Sequence, residues 1–282
     1  MWQKSYDGNP TLYLIPTPIG NMDDMTYRAV KILNDVEVVF SEDTRVTGLL
    51  LKHFNISKKL ISLQDHTEDM AKEKVFEYLK NGYSVGWVTD RGPPIISDPG
   101  YKTVKYVSDK GYNVVGLPGA CAFVPALVVS GIASAPFTFY GFLDSKESKK
   151  KKELEKLKFN TSTLIFYEAP HRLVKTLSMM LEVFGDRDIS ISREISKKFE
   201  SVYRGNISEV LKESDNLKGE FVIVVSGFSS VIDDNLSIYD SVNLHIASGI
   251  DKMDAIKMVA HDRKISKSEV YSLYHKEELK WN

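Results

Sequence analysis

The feature that most constrains this chain is an alternation. Short apolar, β-branched runs, TLYLIPT (11–17), VEVVFSE (36–42), LISL (60–63), YSVGWVTD (83–90) and YNVVGLPG (112–119), are separated by amphipathic stretches such as DMTYRAVKILN (24–34) and MAKEKVFEYLK (70–80). A strand that is apolar on both faces must be covered on both. A helix between consecutive strands supplies the crossover that parallel pairing needs. The pattern predicts an α/β fold with a mostly parallel N-terminal sheet. SGIASAPFT (130–138) interrupts it with small residues and Pro136. A domain boundary belongs there.

A second strand-rich block follows: FTFYGFL (137–143), TSTLIFYE (161–168), DISISREIS (188–196), ESVYRGN (200–206) and GEFVIVVSG (219–227), with helical patterns over 147–157 and 170–184. No crossover helix fits between 196 and 200, so those two strands are expected to be antiparallel and the second sheet mixed. FSSVIDDN (228–235) reads as a linker, and the remainder as helical. DKMD (251–254) and SKSE (266–269) each place a capping side chain three residues before an acid. Met253, Ile256, Val259 and Ala260 should line one helix face, and Val270, Leu273 and Tyr274 the next, as in a helix-turn-helix. The expected division is an N-terminal α/β domain (1–133), a C-terminal α/β domain (134–228) and a small helical extension (229–282).

The strand ends carry the chemistry. DRGPPIISDPG (90–100) leaves a buried strand with three prolines and two glycines. Proline lacks a backbone N–H and fixes φ, so the loop is stiff, rich in acceptors and poor in donors. It lies at the carboxyl end of a strand, where open α/β sheets form their ligand crevice. A phosphate would want N–H groups. This loop suits a ligand bearing an ammonium, an adenine amine or a sulfonium, and S-adenosylmethionine has all three. The alternative is a rigid surface turn. PTPIGN (16–21), SEDTR (41–45), LPGACA (117–122) and FYEAPHR (166–172) add turn or charged residues at four further strand ends. Several such ends meeting in one crevice indicate a site better than any one alone.

Net charge is −1, so any nucleic-acid contact must be a local basic patch. One cysteine excludes an intramolecular disulfide and a Cys-based metal cluster. The polar opening MWQKSYDGNP has no signal-peptide core. No apolar run approaches the roughly 20 residues of a membrane span. A soluble cytoplasmic protein without a membrane partner is expected.

Together LYLIPTPIGNMDDMTYRAVKIL, SEDTR, DRGPPIISDPGY, LPGACA, TLIFYEAPHRL, ISREISKKFE and YRGNISEV, in this order over 11–227, resemble the bacterial ribose 2′-O-methyltransferases that act on a cytidine of 16S ribosomal RNA, within the tetrapyrrole-methylase superfamily. The helical tail is similar to a C-terminal domain found in many members. The resemblance implies a homodimer that binds S-adenosylmethionine between two α/β domains, with the small ribosomal subunit as substrate and no metal. It implies cofactor contacts from Ile19, Asp90, Gly92, Ser97, Asp98, Cys121, Ala122, Tyr167, Glu168 and Gly205. The sequence departs from the family's Asp-Ala-Gly-Thr-Pro at Arg91 and Pro93, and from its Pro-Gly-Pro-Ser at Ala120 and Cys121. Pro93 removes a hydroxyl and an N–H, while Arg91 adds bulk and charge.

Methyl transfer to a ribose hydroxyl needs alignment and help with a proton. The candidates for base or hydroxyl positioning are Glu42, Asp43, Glu168 and His171, with Lys197 as a cation for developing negative charge. Glu42 and Asp43 could instead cap the helix that follows. Arg45, Arg172 and Arg193 suit RNA phosphates. Five lysines fall within 146–152. Of these Lys149, Lys150 and Lys151 are read as RNA contacts, with Arg263 and Lys264 in the tail. A solvated helix face is the simpler reading of such a run. Tyr271 and Tyr274 could stack bases or bury the tail's helices. Two further functions share this sequence pattern: methylation of a small tetrapyrrole, and a catalytically weakened RNA- or ribosome-binding homologue.

Overall fold

The computed structural model describes residues 2–5, 7–63, 68–215, 217–229, 236–247 and 250–281. It divides into two compact units, Met1–Gly227 and Phe228–Asn282. The first contains two five-stranded sheets.

The N-terminal sheet comprises β1 (Thr11–Leu14), β2 (Val38–Ser41), β3 (Lys59–Ser62), β4 (Val85–Val88) and β5 (Asn113–Gly116) in the order β3-β2-β4-β1-β5. All four pairings are parallel. β2 and β4 are buried along their whole length, which is why they read as unbroken apolar runs. Helices α1 (Tyr27–Asp35), α2 (Thr44–His53), α3 (Glu68–Lys80), α4 (Tyr101–Asp109) and α5 (Phe123–Val129) follow the strands. Ile15, Leu33, Val39 and Leu51 fill one side of the sheet. Leu12, Phe40, Val75, Trp87 and Val107 fill the other. β1 and β5 stop short of their apolar runs because Pro16 and Pro118-Gly119 leave the ladder. The helix expected over 24–34 begins at Tyr27, capped by the Thr26 hydroxyl, after a separate 3-10 turn at Met22–Asp24.

The second sheet contains β6 (Phe137–Phe142), β7 (Thr163–Glu168), β8 (Asp188–Arg193), β9 (Ser201–Asn206) and β10 (Phe221–Val225) in the order β6-β7-β10-β8-β9. β6 and β7 are parallel, joined by α6 (Glu147–Leu157). The other pairs are antiparallel, including β8 with β9 across the short connection. α7 (Leu173–Phe184) and α8 (Ile207–Lys212) cover one face, where Leu164, Phe166, Leu177 and Ile223 pack. Ala126 and Leu127 of α5 cover the other, against Ile165, Val222 and Val224. α5 therefore follows a strand of one sheet and packs on the other. α8 begins with a capping box between Asn206 and Glu209.

In the second unit α9 (Ile238–Ala247), α10 (Lys252–Asp262) and α11 (Lys267–Trp281) enclose Val242, Ile256, Val259, Val270 and Tyr274. Met253 and Leu273, expected on the buried faces, are partly exposed. Asp251 caps α10 through the Met253 N–H, but the Asp254 carboxylate pairs forward with Lys257. Ser266 accepts from the Glu269 N–H. Of the expected linker 228–235, residues 230–235 lie outside the described residues. No described helix is long and apolar enough to cross a membrane.

Candidate active site

Three strand-end turns of the N-terminal sheet lock together. Thr17, after β1, and Gly92, after β4, exchange both backbone hydrogen bonds at 3.0 Å. The Thr17 hydroxyl also donates to the Thr89 carbonyl at 3.0 Å. Gly119, after β5, lies so close to Pro16 that a β-carbon there would sit 2.6 Å from the proline ring. Within the proline-rich loop Ile95 (φ 77°) and Ser97 (φ 68°) adopt left-handed backbone, uncommon for any side chain and costly for a β-branched one. Gly100 (φ 134°) lets the loop turn back against Ile95 and Trp87.

This loop forms one wall of a cleft of about 580 Å³. Gly92, Pro93, Ser97 and Asp98 lie on the loop side with Ile19. Tyr167 and Glu168, at the end of β7, and His171 just beyond it line the opposite wall with Glu220 and Phe221. β10 runs antiparallel to β7, pairing Phe221 with Glu168, so its first residues reach the cleft. Ala122 and the exposed ring of Phe142 complete it. Phe142 and Glu220 were not legible as site residues. The only signal was polar Glu220 opening an apolar strand, and nothing in the sequence sets β10 beside β7.

A second cavity of about 660 Å³ shares Ile19 and Ile195 with the first. Its lining includes Asn21, Asp24, Cys121 and Lys197. Cys121 borders this cavity, with its thiol near the Tyr167 hydroxyl. Burial pushes the Tyr167 phenol well above its ordinary pKa, and Cys121 adds to the effect. Asp90 lines neither cavity. It accepts the Asp43 N–H at 3.0 Å and ties the end of β4 to the start of α2.

The candidate proton acceptors differ sharply in surroundings. Asp43 caps α2 through the Arg45 N–H, and hydrogen bonds from the Arg45 side chain hold its carboxyl down at about 2, unsuited to a base. Glu42 Oε2 is 3.4 Å from the Asp90 N–H. Glu168 is buried with its carboxylate turned into the core. It accepts from Thr176 and the Ala169 N–H and faces Arg172 at 3.0 Å and Lys150 at 3.4 Å. That carboxylate holds two cations and does not face the cleft. Lys197 Nζ bonds Glu194 and Glu220, each at 2.9 Å. His171 is exposed on the 3-10 turn Pro170–Arg172 and lines the cleft. Asp98 is the perturbed acid of the site. Burial, then the charges of Glu42 and Asp90, raise it to about 6.

Other expectations meet corrections. Gly205 pairs with Ile189, which pairs with Val225. It stands on the edge strand at the end of the sheet opposite Phe221, away from the cleft. Lys150 is a core residue, bonded to Thr176 at 2.6 Å, because the lysine run lies on α6 and one helical position faces inward. Arg172 bonds the Leu143 carbonyl, Arg193 the Lys218 carbonyl, and Arg263 the Leu236 carbonyl and Ser241. These three arginines brace loops. Arg45, Lys149 and Lys264 are exposed and Lys151 partly so. Arg45 pairs with Asp43, Lys149 with Asp144 and Lys151 with Glu182. Tyr274 is buried, bonding Asn243, whereas Tyr271 is exposed beside His275.

Two packed sheets with a cleft against the strand ends of the first define a class, and residues 11–211 match the pattern of the tetrapyrrole (corrin/porphyrin) methylases. The chain belongs to that family. Within it, the chain is 45% identical to the ribosomal RNA small subunit methyltransferase I of Bacillus subtilis over 97% of its own length and 98% of the relative's. It is 40% identical to the protein of the same name from Halalkalibacterium halodurans over 98% and 99%. Uroporphyrin-III-C-methyltransferase of Thermus thermophilus shares the fold with a TM-score of 0.56 at 18% identity, over 77% of this chain and 94% of that one. The cobalt precorrin-4 methyltransferase aligns similarly, with a TM-score of 0.57 at 15% identity.

The chain is a methyltransferase, and its methyl donor is S-adenosylmethionine. The cleft fits that donor. Its proline-rich wall offers few N–H groups, Ile19, Ile96, Phe142 and Val222 supply apolar surface, and Asp98 and Glu220 supply negative charge.

Proposed function

We propose that the chain methylates the 2′-oxygen of a cytidine ribose in 16S RNA of the small ribosomal subunit. One observation carries this reading. The likeness to the Bacillus subtilis small-subunit RNA enzyme runs through the helical tail, whereas the solved neighbours named for porphyrin or corrin chemistry cover 94% of their own length and only 77% of this chain. A small substrate has no need of the surplus, and a folded RNA does.

Bound in the cleft, the donor supplies an electrophilic methyl on a positively charged sulfur. The chain's part is alignment, which accounts for up to about 7–11 kcal/mol of a barrier, and removal of the hydroxyl proton. His171 is the proton acceptor best supported by its position on the cleft wall, worth roughly 10²–10⁴-fold. Asp98 and Glu220 favour the donor's positive charge. Gly92, Ser97, Ala122 and Tyr167 shape its pocket. Lys149, Lys151 and Lys264 meet RNA phosphates, a contribution that weakens steeply with salt. In this reading residues 1–133 and 134–228 act as two α/β domains, 229–282 as the RNA-contacting tail, and the enzyme works as a cytoplasmic homodimer.

The test uses small subunits from cells lacking this modification, incubated with the protein and S-adenosylmethionine and digested to nucleosides. Mass spectrometry should find 2′-O-methylcytidine. A methyl group on a base, or none, would overturn the assignment.

A further inference from the structure

The cleft contains an ion pair that the family pattern does not account for. Arg91 replaces the alanine usual before the loop glycine, and its guanidinium contacts Glu220 directly across the mouth of the cleft. Both residues line the cavity, and both side chains are more than half exposed, at 56% and 61%. The two carboxylate oxygens of Glu220 are held differently. Oε2 is fixed by Lys197 at 2.9 Å, Lys197 is fixed in turn by Glu194, and Glu194 accepts the Glu220 N–H at 2.9 Å. Oε1 meets only Arg91 among the described hydrogen bonds. Glu220 is thus anchored from its own sheet, while its bond to the loop is exposed and, as such pairs are, weak.

We infer that Arg91 and Glu220 recognise the zwitterionic amino-acid end of the methyl donor. This rests on the donor-cleft reading and deepens it. The donor's α-carboxylate and α-ammonium present opposite charges on one carbon. In the bound state Arg91 holds the carboxylate through its planar fork, and Glu220 Oε1 exchanges Arg91 for the ammonium. No net charge is buried by the exchange, because each partner trades one counter-charge for another. Arg91 also restores hydrogen-bond donors to a wall that Pro93 has stripped of a hydroxyl and an N–H. The two departures from the family pattern compensate each other.

Calorimetry distinguishes this from a merely structural pair. S-adenosylhomocysteine carries the amino-acid end, and 5′-methylthioadenosine lacks it. Each is titrated into wild type, Arg91→Ala and Glu220→Gln. The expected result is that Arg91→Ala weakens S-adenosylhomocysteine binding about tenfold or more, as loss of a bond to a charged group does, and leaves methylthioadenosine binding unchanged. Glu220→Gln should act in the same direction, by a smaller factor. Equal weakening of both ligands would mean general damage to the loop and would overturn the inference. So would unchanged S-adenosylhomocysteine binding. If neither ligand bound wild type, the donor-cleft reading itself would fall, and this assignment with it.

Discussion

Gly119 and Pro16 are packed so tightly that the glycine has no room for a single methyl group: its β-carbon would stand 2.6 Å from that of the proline. The contact joins the turns after β5 and β1. Gly119→Ala must separate them, and overpacking of this kind costs about 1–3 kcal/mol. The melting temperature should fall by several degrees, with weaker donor binding, because the same turns carry Ile19 and Ala122. Thermal denaturation with and without S-adenosylhomocysteine measures both effects.

Glu168 offers a contrasting case. Removing it leaves Lys150 and Arg172 without their shared carboxylate in a buried setting. Glu168→Ala should cost about 3–5 kcal/mol, read as a lower urea midpoint. Were Glu168 a proton acceptor exposed to substrate, the variant would fold normally and lose turnover alone.

Asp98 should make stability and donor binding depend on pH in opposite directions. Its pKa rises from 3.8 to about 6 on folding, chiefly by burial. The folded chain therefore holds the proton more tightly than the unfolded chain. The associated stabilisation is complete below 3.8 and is lost as pH rises through about 6. Asp98→Asn should abolish this part of the slope, seen by comparing urea midpoints of the two proteins across that window. A positively charged donor prefers the ionised carboxylate. Donor affinity in wild type should accordingly increase as pH rises through about 6, and calorimetry should find little such increase in the variant.

Truncation after Gly227 separates folding from RNA recognition. Residues 1–227 contain the clusters that pack both sheets. The shortened chain should keep its near-ultraviolet circular dichroism and donor affinity, and lose affinity for small subunits with a shallower salt dependence. Filter binding at several salt concentrations reports the loss. Unchanged RNA affinity would remove the tail from the RNA-contacting surface.

The architecture was legible because each of its cues is local. VVFS and VGWV are apolar on both faces and became the central strands, and the short span from 193 to 201 left only an antiparallel return. That the proline-rich loop would line a crevice at a strand end was legible for the same reason. Side-chain direction was not. Glu168 and Lys150 are polar residues in a motif and a charge run, yet each faces inward, and only the fold, which brings Lys150 of α6 to Glu168 at the end of β7, makes them partners. Gly205 follows a family motif, but strand register carries it to the far end of the sheet. Arg91 and Glu220 are 129 residues apart, and no spacing rule joins them.

Ile19 and Ile195 each belong to the walls of two cavities. A side chain that borders two cavities couples their contents wherever an occupant of one displaces it. Any occupant of one that shifts either isoleucine alters the free energy of filling the other, and the effect is reciprocal: the factor by which the first ligand changes the second's affinity is the factor by which the second changes the first's. Cooperativity between occupants of the two cavities would then need no movement of a domain, only the choice of rotamer at two aliphatic side chains.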